Sequence, residues 1–258
     1  MLPYDSIAGA ISARHVMTPL NSALSVRVSA RVEEVVALLK PHGFDQAPVT
    51  NGKEIVGFVT RRSAEEAPSG SRIRVQRLAS PFLVSADAPV GTLMRRLSQA
   101  PMVFAVEEHG LAGFVTLSDL NKHPVRTHFY LLLADLEMTM AAEARSALDD
   151  PAEALEMLTK GRRKKALEQH DGARKLNVDA DVLTAFQFSD LLTTVARAGL
   201  HRRFGFASAT SWRRATKGLT SFRDQVMHLT SEFLGKRTID DLIATETRLR
   251  AMLVAASA

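Results

Sequence analysis

The strongest constraint on how this chain can fold is a repeat. EIVGFVTRRS (Glu54 to Ser63) is answered by GLAGFVTLSD (Gly110 to Asp119), and the glycines Gly57 and Gly113 stand 56 positions apart. The same shift lays Ser29 on Ser85, at the heads of SARVEEVVALL and SADAPVGTLMRRL. A fixed period of this length is one supersecondary unit used twice. Each unit reads β-α-β-β-α. In the first, LSVRV (Leu24 to Val28) is a strand, and Val32, Val35, Val36 and Leu39 fall at helical spacing. QAPVT, a turn at Asn51-Gly52 and IVGFVT then make a hairpin. The second runs FLVS, VGTLMRRL, MVFAV and LAGFVT, with Val90, Leu93, Met94 and Leu97 as the apolar helix positions. Units this small hold little core alone, so the two are predicted to pack together.

After Pro124 the texture changes. VRTHFYLLLADLEMTM places Val125, Phe129, Leu132, Leu133, Leu136 and Met140 on one helical stripe. PAEALEMLTKGRRKKALEQHDG reads as a second helix, capped at Asp150-Pro151 and stopped by glycine. DVLTAFQFSDLLTTVARAG reads as a third, LTSFRDQVMHLTSEFL as a fourth and TIDDLIATETRLRAMLVA as a fifth. The expectation is an α+β chain. Residues 1–123 hold the two repeats, at about 12–66 and 72–122, and residues 124–258 form an all-α bundle of four to five helices.

The chain has no cysteine, which excludes disulfides and thiolate chemistry and fits a cytoplasmic protein. No apolar run is long enough to span a bilayer, so no membrane is expected. Net charge is +5, and the basic residues are patterned: Leu191 to Arg223 contains no acidic residue but carries Arg197, Arg202, Arg203, Arg213, Arg214, Lys217 and Arg223. Such a field suits a polyanion, with Arg202, Arg203, Arg213, Arg214 and Lys217 as candidate RNA contacts and Trp212 among them either stacking on a base or partly buried. A solvated helical face is the other reading. Nothing resembles a P-loop, a dinucleotide fingerprint or a metal-ligand cluster.

Within the fourth helix, Leu219, Phe222, Val226, Leu229 and Phe233 form a core stripe. On a continuous helix His228 then points about 130° from that stripe, with Asp224 on its own face and Arg223 near the edge. An arginine can stabilise a phosphorane-like transition state, and a histidine can exchange protons near neutral pH. FRDQVMH is therefore a candidate for phosphodiester chemistry, or else a polar surface. Glu137, in the first helix, could approach it, or else be a solvated glutamate.

The first half resembles a pair of CBS domains over about residues 12–122. HVMTPL (His15 to Leu20) looks like that family's entry segment, and QAPVT with GKEIVGFVT like its central hairpin. The resemblance implies an adenine nucleotide (AMP, ATP or a linked adenylate), held by the hydroxyl of Thr116 and the carboxylate of Asp119. Thr18, Ala47, Thr60 and Met102 are the further binding positions. Ser63 stands where the first unit should have aspartate, so at most one full-strength site is expected. In the other reading Thr116 and Asp119 only cap a helix.

Residues 126–254 resemble HEPN domains, with HFYLLLADLEMTM as their first long helix and FRDQVMH as their R-x4-H signature. Asp224 stands where the family often has asparagine. The resemblance implies a homodimeric, metal-independent endoribonuclease. Its composite site would combine Arg223, His228 and Asp224 and leave 2′,3′-cyclic phosphate and 5′-hydroxyl ends, with no catalytic cofactor. The alternative is a non-catalytic nucleotide sensor whose helical domain serves dimerisation or RNA or partner binding.

Overall fold

The computed structural model describes residues 10–176, 181–228, 233–234 and 237–257. These form two compact units: residues 10–125 with 237–243, and residues 126–176 and 181–228 with 233–234 and 244–257.

The first unit begins with α1 (Ala13–Val16), β1 (Thr18–Pro19), β2 (Val26–Arg27) and α2 (Val32–Leu39). A hairpin of β3 (Gln46–Thr50) and β4 (Ile55–Thr60) follows, closed by α3 (Arg61–Glu65). The pattern then returns as β5 (Gln76–Arg77), β6 (Leu83–Ser85), α4 (Val90–Leu97), β7 (Met102–Glu107) and β8 (Gly110–Thr116). A 3-10 turn, Leu117–Asn121, stands in the place of α3.

The two hairpins share one register. Gln46 faces Thr60 and Met102 faces Thr116, and the pairing continues to Val49 opposite Gly57 and Ala105 opposite Gly113. Each ladder then shifts at the same step, between Val49 and Thr50 and between Ala105 and Val106. The preceding strand and helix are displaced by 58 positions, not 56: Arg27 pairs with Thr50 as Ser85 pairs with Val106. Ser29 therefore answers to Asp87, which corrects the match of Ser29 with Ser85. The extra two residues lie between α2 and β3, where a 3-10 turn, Lys40–His42, ends on left-handed Gly43.

Each sheet is completed by the other repeat. The strand orders are β1-β8-β7-β6 and β2-β3-β4-β5. The entry strand β1 pairs with β8, Thr18 opposite Phe114, while β5, the entry strand of the second repeat, pairs with β4, Phe58 opposite Gln76. This exchange explains the repeated glycines. A Cβ on Gly57 would lie 2.0 Å from the carbonyl oxygen of Gln76, and one on Gly113 would lie 2.7 Å from that of Thr18. Met102 to Ala105 are buried without a break, as in strands covered on both faces. Phe58 and Phe104 meet with ring centres 6.4 Å apart.

The second unit is helical. Its α-helices are α5 (His123–Ala147), α6 (Lys160–Lys175), α7 (Phe188–Arg197), α8 (Ala209–Thr216), α9 (Leu219–Met227) and α10 (Ile239–Ala256); α5 and α10 each have residues in both units. Several expected boundaries are corrected. Residues Pro151–Met157 and Val182–Ala185 are 3-10 turns, α6 passes through Gly172, and α8 had no counterpart in the sequence reading. The fourth predicted helix ends at Met227. Leu219, Phe222, Val226 and Phe233 are buried as the stripe requires, and Leu229 lies outside the described residues. Phe129, Phe222 and Phe233 form the aromatic centre of this core, with ring centres 5.1 to 5.9 Å apart.

Candidate functional sites

In the second repeat Thr116 and Asp119 come together with Thr18. The Asp119 Oδ2 accepts from the Thr116 backbone N–H at 2.7 Å and from its hydroxyl at 2.8 Å. The Lys122 ammonium lies 2.7 Å from Oδ1, and the Thr18 hydroxyl donates to the same oxygen at 3.3 Å. A carboxylate offers about four acceptor positions, so this one is saturated by its own chain. It is also nearly buried, at 8% exposure. Thr116 and Asp119 thus form a capping box on the 3-10 turn. A ribose diol reaching Asp119 has to displace one of these donors, and Lys122 is the most exposed of them at 40%. Lys122 also donates to the Val16 carbonyl at 2.6 Å, which ties the entry segment to the end of the repeat.

The first repeat is built differently. Thr60 accepts from the Ser63 N–H at 3.2 Å, and the Ser63 hydroxyl donates back to the Thr60 carbonyl at 2.8 Å. Ala47 and Met102 are buried at the starts of their strands. Beside them, Gln46 Nε2 donates to the Pro101 carbonyl at 3.1 Å.

In the helical unit, Arg223 sits on α9 with its side chain 39% exposed, and its guanidinium lies 3.6 Å from Asp224. His228 is exposed, but it is not on a continuing helix: it caps α9 in an extended conformation, φ −89° and ψ 93°, with its N–H donating to the Asp224 carbonyl at 3.0 Å. The expected helical face shared by Asp224 and His228 is corrected accordingly. The helix end is held by Arg126. Its Nη1 donates to the carbonyls of Gln225, at 2.8 Å, and His228, at 3.0 Å, and its guanidinium lies 5.1 Å from the centre of the Phe233 ring. These bonds satisfy carbonyls that a helix terminus leaves open. Burial lowers the pKa of Arg126.

Arg223 shares two clefts with Glu137 of α5. The larger, about 380 Å³, is lined by Glu137, Gln169, His170, Phe186, Gln187 and Arg223, among others. The smaller, about 110 Å³, includes Tyr130, Glu137, Arg223 and Met227. Glu137 is half-buried. Burial raises its pKa above the usual carboxylate value, and the nearby Arg223 charge only partly opposes the rise.

Arg202, Arg203, Arg213, Arg214 and Lys217 are all exposed. Trp212 is not available for stacking: it is fully buried against Phe204, and its Nε1–H donates to the Leu192 carbonyl at 3.0 Å. Arg126, Lys122 and the cleft residues Gln169, His170 and Gln187 were not singled out from the sequence. Arg126 acts on the end of α9, and the cleft residues join Arg223 only in the folded chain; only an arginine beside an apolar stripe hinted at Arg126. Among the described residues, no group of three or more histidines and carboxylates is placed to hold a metal ion, and no helix is long and apolar enough to cross a membrane.

Residues 13–69 match the family model described as CBS domain. No curated protein matches the chain. Similar solved structures include the CBS domain of the bacterial CNNM/CorC family Mg2+ transporter in complex with ATP, at 23% identity and TM-score 0.39, covering 45% of this chain and 89% of that one. A hemolysin-like protein containing a CBS domain from Oenococcus oeni PSU shows 19% identity and TM-score 0.38, covering 45% and 90%. The CBS domains of a transcriptional regulator from Streptococcus pneumoniae show 23% identity and TM-score 0.37, covering 42% and 95%. The chain is therefore a mixed α+β protein, with a CBS-like sheet region at its N-terminal end and a helical C-terminal part.

Proposed function

We propose that this protein is a nucleotide-responsive endoribonuclease. In this reading the repeated unit is a CBS pair that takes one adenine nucleotide beside Thr18, Thr116 and Asp119. The helical unit is a HEPN-like homodimer that cuts RNA without metal or catalytic cofactor. Arg223 neutralises the charge building on the phosphorus. His228 protonates the leaving 5′-oxygen, and the ends are 2′,3′-cyclic phosphate and 5′-hydroxyl. The exposed arginines on and around α8 supply the phosphate contacts.

The observation that carries this reading is the position of Arg223. Its guanidinium is off the core, at the wall of two clefts, on the helix whose end presents the exposed His228. One observation favours the non-catalytic alternative: Arg223 pairs with Asp224, and the chain leaves the helix before His228.

Cleavage of single-stranded and transfer RNA in EDTA separates the two. Wild type is expected to give cyclic-phosphate ends, with a rate that changes on adding ATP, AMP or a linked adenylate. His228→Ala is expected to lower that rate by about 10²- to 10⁴-fold. Its stability should change by less than about 0.5 kcal/mol, since the residue is exposed. No cutting by wild type under any condition would leave a sensor with a binding or dimerisation unit.

A further inference from the structure

The two clefts in the helical unit are not separate features. Glu137 and Arg223 line both, so these two side chains form a ridge between them. On one side lies the larger cleft, about 380 Å³, at the lower end of the range for ligand sites of about 300–1,000 Å³. Gln169, His170 and Gln187 give it donors and acceptors, and Phe186 and Ala173 give it apolar surface. That mixture suits a flat heterocycle with polar edges. On the other side the smaller cleft, about 110 Å³, cannot take a base. Its lining includes Met227, the residue before His228.

We propose that single-stranded RNA straddles this ridge, with one unstacked nucleotide in the larger cleft, its 3′-phosphodiester against Arg223, and Glu137 taking the proton of its 2′-hydroxyl. This rests on the ribonuclease reading above and adds to it a proton acceptor and a substrate class. The step balances. The 2′-oxygen gives its proton to the Glu137 carboxylate and forms a bond to phosphorus. The bond from phosphorus to the 5′-oxygen breaks, and that oxygen takes a proton from the His228 imidazolium. Arg223 carries the charge of the pentacoordinate phosphorus between the two events. Duplex RNA is excluded because a base must leave its stack to enter the cleft. The titratable and charged groups facing this position are Tyr130 and Glu137 from α5, His170 from α6 and Arg223 from α9, with Asp224 beside the arginine. Burial raises the Glu137 pKa, which makes its carboxylate a better matched proton acceptor than a solvated one.

The test uses the full chain with a single-stranded oligoribonucleotide, the same sequence as a duplex, and its uncleavable 2′-deoxy form. Glu137→Gln is expected to lower kcat by about 10²- to 10³-fold while binding the 2′-deoxy strand within threefold of wild type. It should also remove the acid limb of the kcat/KM profile against pH. Glu137→Asp, which keeps a carboxylate, should retain that limb at a reduced rate. Gln187→Ala should change the preference for the base on the 5′ side of the cut, and the duplex should resist cleavage. Wild-type cutting with Glu137→Gln within threefold of it, or equal cutting of duplex and single strand, overturns this proposal and leaves the ribonuclease reading standing. No cutting by wild type overturns both.

Discussion

The two repeats of the first unit share a backbone and differ in chemistry. Their hairpins agree pair for pair, down to the step at which each ladder shifts. Yet where the second repeat has Asp119, gripped by Thr116, Thr18 and Lys122, the first has Ser63, bonded only to Thr60 within its own turn. The counterpart of Lys122 at the hairpin spacing is Glu66, which pairs outward with Arg62 at 2.7 Å. One frame thus supports a charged, cross-braced corner and a neutral, local one. The frame depends on glycine, hairpin register and the exchanged strands. The corner depends on three or four side chains that can change without disturbing it.

This contrast can be tested by substitution. The single most costly change should fall in the frame. Gly57→Ala drives a methyl into the Gln76 carbonyl and is expected to cost about 3 kcal/mol. Gly113→Ala should cost about half as much, roughly 1.5 kcal/mol, because two of its three nearest neighbours belong to the flexible Met17 side chain. Urea denaturation of the two variants gives both numbers, and equal losses would remove the asymmetry argued here. Next comes the corner. Asp119→Ser makes the second repeat resemble the first, and should cost about 2 kcal/mol through the charge-assisted bonds it breaks. The reverse change, Ser63→Asp, should stay within about 0.5 kcal/mol of wild type.

The smallest effect is confined to the first repeat. The Glu33 carboxylate accepts from the Ser69 hydroxyl at 2.7 Å and the Gly70 N–H at 2.6 Å, and those bonds hold its pKa below the ordinary 4.5. Its counterpart at the 58-residue spacing is Gly91. A depressed folded pKa means stability that is fully present above pH 4.5 and fades as the pH falls through the lower folded value. Glu33→Gln should therefore melt slightly below wild type at pH 7, and the gap should narrow as the pH falls below 4.5. A gap that does not narrow would place its origin elsewhere.

The repeat was legible because its cause is local in each copy. The glycine before an apolar pair and a threonine marks the close approach of another strand, wherever that strand comes from. The spacing was only partly legible. A Ser-Ala pair at 29–30 and another at 85–86 suggested a uniform period and concealed the two extra residues before β3. In the helical unit the stripes were readable and the ends were not. Gly172 looked like a stop, but a helix tolerates glycine at about 1 kcal/mol, and α6 continues three residues beyond it. The end of α9 is held by Arg126, some hundred positions earlier in the chain, and no local pattern announces that. The same holds at the candidate site. Arg223 stood out from its neighbours in sequence, whereas the cleft it borders draws on α5, α6 and the approach to α7.

The exchanged entry strands set a timetable for folding. During synthesis the first hairpin emerges early, but the strand that covers its edge, Gln76–Arg77, emerges some sixteen residues after β4 is complete. The second sheet waits the other way round: its edge strand, Thr18–Pro19, is made before the strand it pairs with, and must be kept available until Gly113 and Phe114 arrive nearly a hundred residues later. Closing a contact of that separation costs loop entropy before any pairing repays it. Neither repeat can therefore finish alone, and a chain cut between them should yield two sheets that each still need the other's first strand.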